Sequence, residues 1–562
     1  MRQKNFTMVR CAMASALAVC IAVSMATLHG CVRSKPIDGG VVSEYQRAMA
    51  GRMPQPRGDR DSEGFFTPAA AVELPSLNIE GQDPRRVELS LDDAIVCALA
   101  GNPEIAVASF DPAISREDMT RAAAEFDLVA NAGFGYQQQD MPTDSTFRGG
   151  QSDVREFSAG FAQKLITGAE WTLDWSMTRT WDNNAFRTLS TRYEPTLALE
   201  VTQPLLRGGW PEYNLSRLRL ARLTHRQSLS EFRQTVEQVV TEVRTSYWRL
   251  KQAREDVRIQ EELLDATRRT LRQVEARRDV DAPARTVIAQ VEASLRAREA
   301  ALVLARKQAE DAAEELARLV SHPDIGPLED FELVLTTEPP TRPVKLDRRQ
   351  ELRTAIEHSP LLEQARLAIA AADIEVRVAE NEILPRLDVT GSASVDGLGG
   401  TSGDANDDFW TFDYVSYSIA VRMEYPPGNR AARAQLRGSR YQRRQALARM
   451  QDAADRVSQR VNERVRAVET AWRRIEVQKA AVDAARAQAE GLEERLVIQQ
   501  KTPEFLLVLL QAQQTLAEAR RSLWQARTDY NVARLELAQV TGTVLQKQQV
   551  RIALPDSPTE GE

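Results

Sequence analysis

Four histidines and four cysteines are the side chains of this 562-residue chain from which metal, thiol or acid–base chemistry could be built. His29, His225, His322 and His358 lie far apart, no two of them have metal-ligand spacing, and no glycine loop of the phosphate-cradling kind accompanies them. No nucleophile, base and metal set converges, so an enzyme is disfavoured and neither a metal nor a cofactor is expected; the histidines read as solvated or core residues. The Glu-rich and Arg-rich stretches have the spacing of solvated helix faces paired at i, i+4. What remains is covalent chemistry at one thiol, Cys31.

The start of the chain supports that chemistry. A basic segment, MRQKNFTMVR, precedes the apolar run CAMASALAVCIAVSMATL, which reads as an export signal; at 18 residues it is also near the lower limit for an uncleaved membrane anchor. Leu28-His29-Gly30-Cys31 resembles a bacterial lipobox, in which cleavage falls before the cysteine and the thiol is lipidated. Residues 1–30 are then a lipoprotein signal peptide, Cys11 and Cys20 leave with it, and Cys97 remains as a lone thiol without a disulfide partner. Residues 31–87, rich in Pro, Gly and charge, read as an extended tether.

The elements that carry the rest of the chain are long. A charged fraction of 27% with only 6% aromatic residues suits solvated helices better than stacked globular cores. The net charge of −7, more negative once the basic start is removed, makes nucleic acid a poor partner. The segment from Leu91 to Phe126 recurs without gaps around Leu352 to Ile383, Ala98 falling on Ala355 and Pro103 on Pro360, so the chain is a duplication with repeats at 88–341 and 342–545 and a tail at 546–562. Val236, Val243, Leu250, Val257 and Leu264 keep a strict spacing of seven, as do Val461, Val468, Ile475, Val482 and Ala489. An undistorted helix drifts roughly 20° per heptad, so such seams require supercoiling against neighbours. Each half supplies one long helix (about 212–279 and 430–500) and two shorter ones (about 89–126 with 284–320, and 350–384 with 504–541). A helix of about 68 residues spans on the order of 100 Å, nearly the length of two shorter ones end to end. Asp281-Ala282-Pro283 and Lys501-Thr502-Pro503 end helices and mark the tips of two hairpins.

Between short and long helices the period falls to two. Tyr417, Ile419, Val421 and Met423 alternate with Ser416, Ser418, Ala420 and Arg422; similar rows run through Leu197–Val201, Leu387–Val389 and Ala130–Tyr136. Strands of about ten residues with one apolar face fit a bilayer-spanning barrel with a wet lumen, and equally a soluble sandwich. Trp171, Trp175, Trp181, Tyr193, Trp410, Phe412, Tyr414, Tyr417 and Tyr425 suit aromatic girdles and favour the barrel. The stretch TSGDANDD before Phe409 looks like an exposed connection.

With its duplicated LxxAxxxALxxNPE-like segment, VTQPLLRGG at the passage from strand to long helix, and LLQAQQTLAEARRSLWQARTDYNVARLELAQVTG near the end, the chain resembles the TolC-like outer membrane factors over residues 88–545. The resemblance implies an α+β membrane protein: a homotrimer whose twelve strands form one outer membrane β-barrel in outer membrane lipid, continued by a periplasmic α-helical coiled-coil barrel about 100 Å long. It implies a passive exit duct of a tripartite efflux pump or type I secretion system, gated at its periplasmic tips and partnered by a periplasmic adapter and an inner membrane transporter that selects the cargo. The competing class is a periplasmic coiled-coil structural or adapter protein without a pore, which has no need of lipid-facing strands.

Two departures from the family pattern matter. Its hairpin tips usually carry Gly, whereas here the candidate adapter-contacting tips hold Asp279, Asp281, Pro283, Lys501, Thr502 and Pro503. A surplus hairpin, FSAGFAQKL and EWTLDWSMT joined at Ile166-Thr167-Gly168, either lengthens an extracellular loop or adds strands to the barrel. Glu493 and Glu494 fall roughly where family members carry an acidic constriction, and three copies would make a cation-favouring ring.

Overall fold

The computed structural model describes residues 78–80, 85–142, 149–184, 186–275, 285–322, 331–340, 342–498 and 503–547, all within one compact unit, Pro75–Val550. Cys31, Asp279, Asp281, Pro283, Lys501 and Thr502 lie outside the described residues, and Pro503 opens a helix.

In chain order the elements are β1 (Asn78–Glu80), β2 (Arg85–Leu89), α1 (Leu91–Gly101), α2 (Pro103–Ala123), β3 (Val129–Asp140), β4 (Gln151–Lys164), β5 (Glu170–Asp182), β6 (Thr191–Pro204), α3 (Ser216–Glu275), α4 (Arg285–Val320), β7 (Phe331–Leu335), α5 (Arg348–His358), α6 (Pro360–Glu382), β8 (Arg386–Asp396), α7 (Ser402–Thr411), β9 (Val415–Glu424), α8 (Arg430–Ile498) and α9 (Pro503–Val540). The long helices fall where the heptads put them, and their seams are inside: Val236, Val243 and Leu250 of α3 and Val461, Val468 and Ile475 of α8 are buried. Each expected short helix, 89–126 and 350–384, is instead two. Pro103 and Pro360 each lack the backbone N–H at a first helical position, where no intrahelical donor is needed, and start a new helix at a bend, 49° in the first repeat. Asn102 caps the new start by accepting from Glu104 N at 2.9 Å, while its amide donates to Leu319 O at 3.1 Å.

Laterally, α3 packs against α2 and α4 and also against α6 and α9; α8 packs against α5, α6 and α9. Each chain is thus four rods wide, α2 with α4, then α3, then α6 with α9, then α8. α8 meets α9 along an apolar seam, Val457 to Val482 against Leu523, Ala526, Tyr530, Ala533 and Leu537. Midway along α3, Tyr247 is fully buried; its hydroxyl donates to Leu89 O at 3.1 Å and accepts from Thr337 N at 3.0 Å. This pins a three-stranded sheet, β1-β2-β7, to the rods. Two of its strands occupy the end of the segment expected to be a tether.

A second sheet has six strands in the order β3-β4-β5-β6-β8-β9, every neighbour antiparallel. The surplus hairpin is therefore β4 and β5, two full members of the sheet rather than an excursion from it. The stretch expected as an exposed connection before Phe409 is α7: Thr401 caps it by accepting from Asp404 N at 3.2 Å, and Ala405 and Phe409 are buried.

Candidate functional site

Cross-strand register decides which side chains share a face of the six-stranded sheet. Phe134 pairs with Phe157, Phe157 with Met177, Trp175 with Leu197, Leu197 with Val395, and Ala393 with Tyr417. All therefore lie on one face, which also takes Phe161, Leu173, Leu199, Val201, Val389, Ile419, Val421 and Met423. The opposite face holds Asn131, Ser158, Asp174, Ser176, Thr178, Glu200, Thr202, Thr390, Ser392, Ser418 and Arg422. The hairpin strands keep the parity of their neighbours, so the same two faces continue across all six strands. On β5 this face holds Trp171, Leu173, Trp175 and Met177, then Arg179, and ends at Trp181; ten residues at about 3.3 Å, tilted about 40°, span roughly 25 Å in height, the thickness of a bilayer-facing band with its rims. On the other face, Thr202 and Thr390 hydroxyls lie 3.0 Å apart and Thr196 donates to Asp396 at 2.8 Å, a polar lining satisfied within the sheet.

The sheet ends where the rods begin. Turn Leu165–Ala169 closes β4 and β5 at this junction: Gly168 adopts φ +87°, and a Cβ there would meet Gly208 O at 2.4 Å, so only glycine fits. Trp210 N donates to Thr167 O at 3.1 Å, tying the hairpin turn to the helical turn Pro211–Asn214 that leads into α3. Gln163 donates to Phe126 O at 2.9 Å and Lys164 meets Glu125 Oε1 at 2.6 Å, so β4 is moored to the end of the α2 segment as well.

Two edges are left open. β3 is exposed along its whole length and β9 along nearly all of it, unlike the strands between them. The rods repeat this pattern: Val107 and Ile114 on α2 and Tyr441 and Val477 on α8 are at least 60% exposed, apolar side chains on the two outermost rods. The first twenty residues of α8 also carry seven arginines and no acid. Arg440 and Arg443 reach Glu380 and Asp373 of α6, while Arg430, Arg433, Arg437, Arg444 and Arg449 have no carboxylate partner among the described residues.

At the far end of the rods, Glu493 and Glu494 are exposed near the end of α8. Glu493 Oε1 accepts from Gln513 of α9 at 3.2 Å, which fixes that carboxylate beside the hairpin partner; Glu494 is exposed next to it. Deeper in, Arg298 of α4 is buried, its guanidinium bonded to Thr267 of α3 and, at 3.0 Å, to Leu510 O of α9. Burial draws its pKa down to about 10, so it stays charged at neutral pH and ties three helices together. Periodicity gives no sign of it, because an arginine on a helix face reads as solvated.

The remaining reactive groups are structural. Burial, with Asp93 adding to it, pushes the Cys97 thiol up to about 12. Ser115 Oγ lies 2.9 Å from His225 Nδ1 and 2.7 Å from Ser228 Oγ, a junction of α2 with α3 beside Pro112, and no carboxylate is hydrogen-bonded to the ring among the described residues. His322 and His358 are distant in sequence from this junction, and His358 Nδ1 is 3.1 Å from the Thr354 carbonyl of its own helix.

Comparison with known proteins agrees with this geometry. The sequence profile of the family described as "Outer membrane efflux protein" matches residues 94–322 and 352–543, one match in each repeat. "Outer membrane efflux protein BepC" of Brucella suis biovar 1 is 29% identical over 364 residues, covering 63% of this chain and 73% of that protein. Among solved structures, the open state of the Neisseria gonorrhoeae MtrE outer membrane channel superposes with a TM-score of 0.60 at 15% identity, covering 81% of this chain and 89% of that one. The outer membrane protein VceC of Vibrio cholerae gives 0.58 at 17% identity, over 80% and 96%.

Proposed function

The chain belongs to the outer membrane efflux protein family and is an outer membrane channel reaching into the periplasm, and from that premise we propose that three copies close one continuous exit duct with an eighteen-stranded barrel. The observation that carries this reading is the six-stranded sheet with one apolar and one polar face, open at β3 and β9 and continuous with rods open at α2 and α8. Complementary open edges on one chain join head to tail and close a ring. Six strands cannot close alone, since even small barrels need about eight.

Circumference favours eighteen strands over twelve. Three chains of four rods at about 9.5 Å make a tube roughly 110 Å around. Eighteen strands about 4.8 Å apart and tilted about 40° also close at roughly 110 Å, whereas twelve close at about 75 Å. The surplus hairpin thus widens the exit to match the tube beneath it.

Within this duct the heptad seams supercoil the rods, and the tips near Asp279–Pro283 and Glu493–Pro503 hold the resting channel closed. A pore open at all times would admit noxious solutes, so a periplasmic adapter, bound to an inner membrane transporter, opens it by its higher affinity for the open state. The carboxylates of Glu493 and Glu494 ring the constriction and favour cations. Acyl chains on Cys31 add an anchor in the outer membrane. A coiled-coil adapter without a pore has no use for a continuous apolar face of bilayer height.

Native mass spectrometry in mild detergent together with planar-bilayer recording tests this. A trimer of low resting conductance is expected, with Glu493→Ala plus Glu494→Ala weakening cation preference. A stable monomer would refute the closed ring, and unchanged selectivity in the double variant would remove the two glutamates from the constriction.

A further inference from the structure

We propose that the outside of the barrel holds one anionic lipid phosphate per chain, bound by a row of four side chains, Tyr136, Arg155, Arg179 and Tyr193, that exists only because of the surplus hairpin. The inference rests on the reading of the six-stranded sheet as a membrane wall. Register places the four side by side across four strands: Tyr136 pairs with Arg155, Arg155 with Arg179, and Arg179 with Tyr193. All four share the apolar face with Phe157 and Trp175. Arg155 lies 5.6 Å from the Tyr136 ring centroid and Arg179 6.0 Å from that of Tyr193, so each guanidinium is steadied by an aromatic at the outer end of the row.

Two like charges directly opposite each other across a strand pair are destabilising. One acid relieves them in part: Asp153 Oδ1 is 3.4 Å from Arg155 Nε. Arg179 has no carboxylate partner among the described residues. The row therefore carries a net positive charge on a surface where water is scarce, and an anion that accepts from both guanidiniums would remove the repulsion.

The height of the row selects the anion. On its junction side lies an apolar row, Phe134, Phe157, Met177 and Pro195; on the other lies Gln138, Asp153, Trp181 and Thr191. The arginines sit at the boundary between them, roughly 20 Å above Trp171 and on the side remote from the rods. With the rods in the periplasm, that is the headgroup level of the outer leaflet. Lipid chains would lie on the apolar row below and their phosphates would meet the arginines. A soluble anion has no use for the apolar row, so the site is assigned to a lipid.

The test uses the full-length trimer in nanodiscs of neutral phosphatidylcholine, with or without phosphatidylglycerol or a phosphorylated glucosamine lipid. Native mass spectrometry is expected to find anionic lipid retained by the wild type. Retention should fall at least tenfold in Arg155→Ala/Arg179→Ala, fall less in Arg155→Lys/Arg179→Lys, and stay unchanged in Arg422→Ala on the polar face. Equal retention in the wild type and the double alanine variant would overturn the site. So would displacement of the lipid by equimolar inorganic phosphate, which would mark it as a site for free anions. Quenching of Trp175 by brominated acyl chains separates the two readings: with quenching but equal retention only the lipid site falls, and without quenching the membrane wall falls with it.

Discussion

Substituting arginine at two adjacent positions of β5, Trp175 and Ser176, should give opposite results, because the chain puts them on opposite faces of the sheet. Trp175 stands about four residues along the strand from Trp171, roughly 10 Å up an apolar band of about 25 Å. Arginine facing lipid near that depth costs about 2–4 kcal/mol per site. Loss of the edge-on contact with Phe157, whose ring centroid is 5.9 Å away, adds about 0.5–1.5 kcal/mol. Ser176 lies between Ser158 and Thr196 on the polar face, where arginine meets water and costs about 1 kcal/mol or less. The gap of about 3 kcal/mol corresponds to roughly a hundredfold difference in the folded fraction, repeated in each subunit. Urea titration of the protein in lipid vesicles, read by heat-resistant trimer on cold gels, measures it. Equal tolerance of both substitutions, or equal damage, would show that the hairpin does not divide lipid from lumen.

Three further outcomes are expected. Cys97 in the folded protein should resist thiol reagents at pH 8, where a pKa of about 12 leaves about one thiolate in ten thousand, and should react on unfolding. The unfolded chain gives up this proton near pH 9 and the folded chain only near 12, so the contribution of Cys97 to stability declines as pH climbs through that interval, which Cys97→Ser should abolish. Tyr530→Phe removes a hydroxyl that donates to Arg342 O at 2.9 Å while leaving the ring against Trp472, and should lower stability by about 1 kcal/mol in the same urea titration. Cys31→Ala should remove acyl mass from the mature N-terminus with the trimer still formed; an unmodified N-terminus in the wild type would refute lipidation.

Much of the architecture is legible in the sequence because it is periodic. A β-branched apolar residue every seven positions, Val461, Val468, Ile475 and Val482, defines which side of α8 is inside, and alternation from Val415 to Met423 defines two faces of β9, before any neighbour is known. Neighbours are what periodicity withholds. The β2–β7 pairing joins Arg85 to Phe331 across most of one repeat, and nothing local announces it. The surplus hairpin shows the same limit: Trp171, Leu173 and Trp175 reveal an apolar face but not whether β5 lies in the wall, which the register with Leu197 and Ala159 settles for the sheet. The breaks at Pro103 and Pro360 carry a readable signal, an Asn or Ser at the N-cap position followed by Pro, that the duplicated helical pattern masks. At α7, Asp and Asn suggest a loop, yet Thr401 caps a helix that buries Phe409. Glu493 lies near the end of α8 and accepts from Gln513, a contact that sequence spacing does not announce, and the Arg155–Arg179 pair could be found only once strand register was known.

The strand count of the assembled barrel tests the central claim most directly. Cryo-electron microscopy of the full-length protein in lipid nanodiscs should show a trimer with eighteen strands, six from each chain, in which β4 and β5 cross the bilayer between β3 and β6. A twelve-stranded wall with residues 151–182 folded outside the membrane would contradict it.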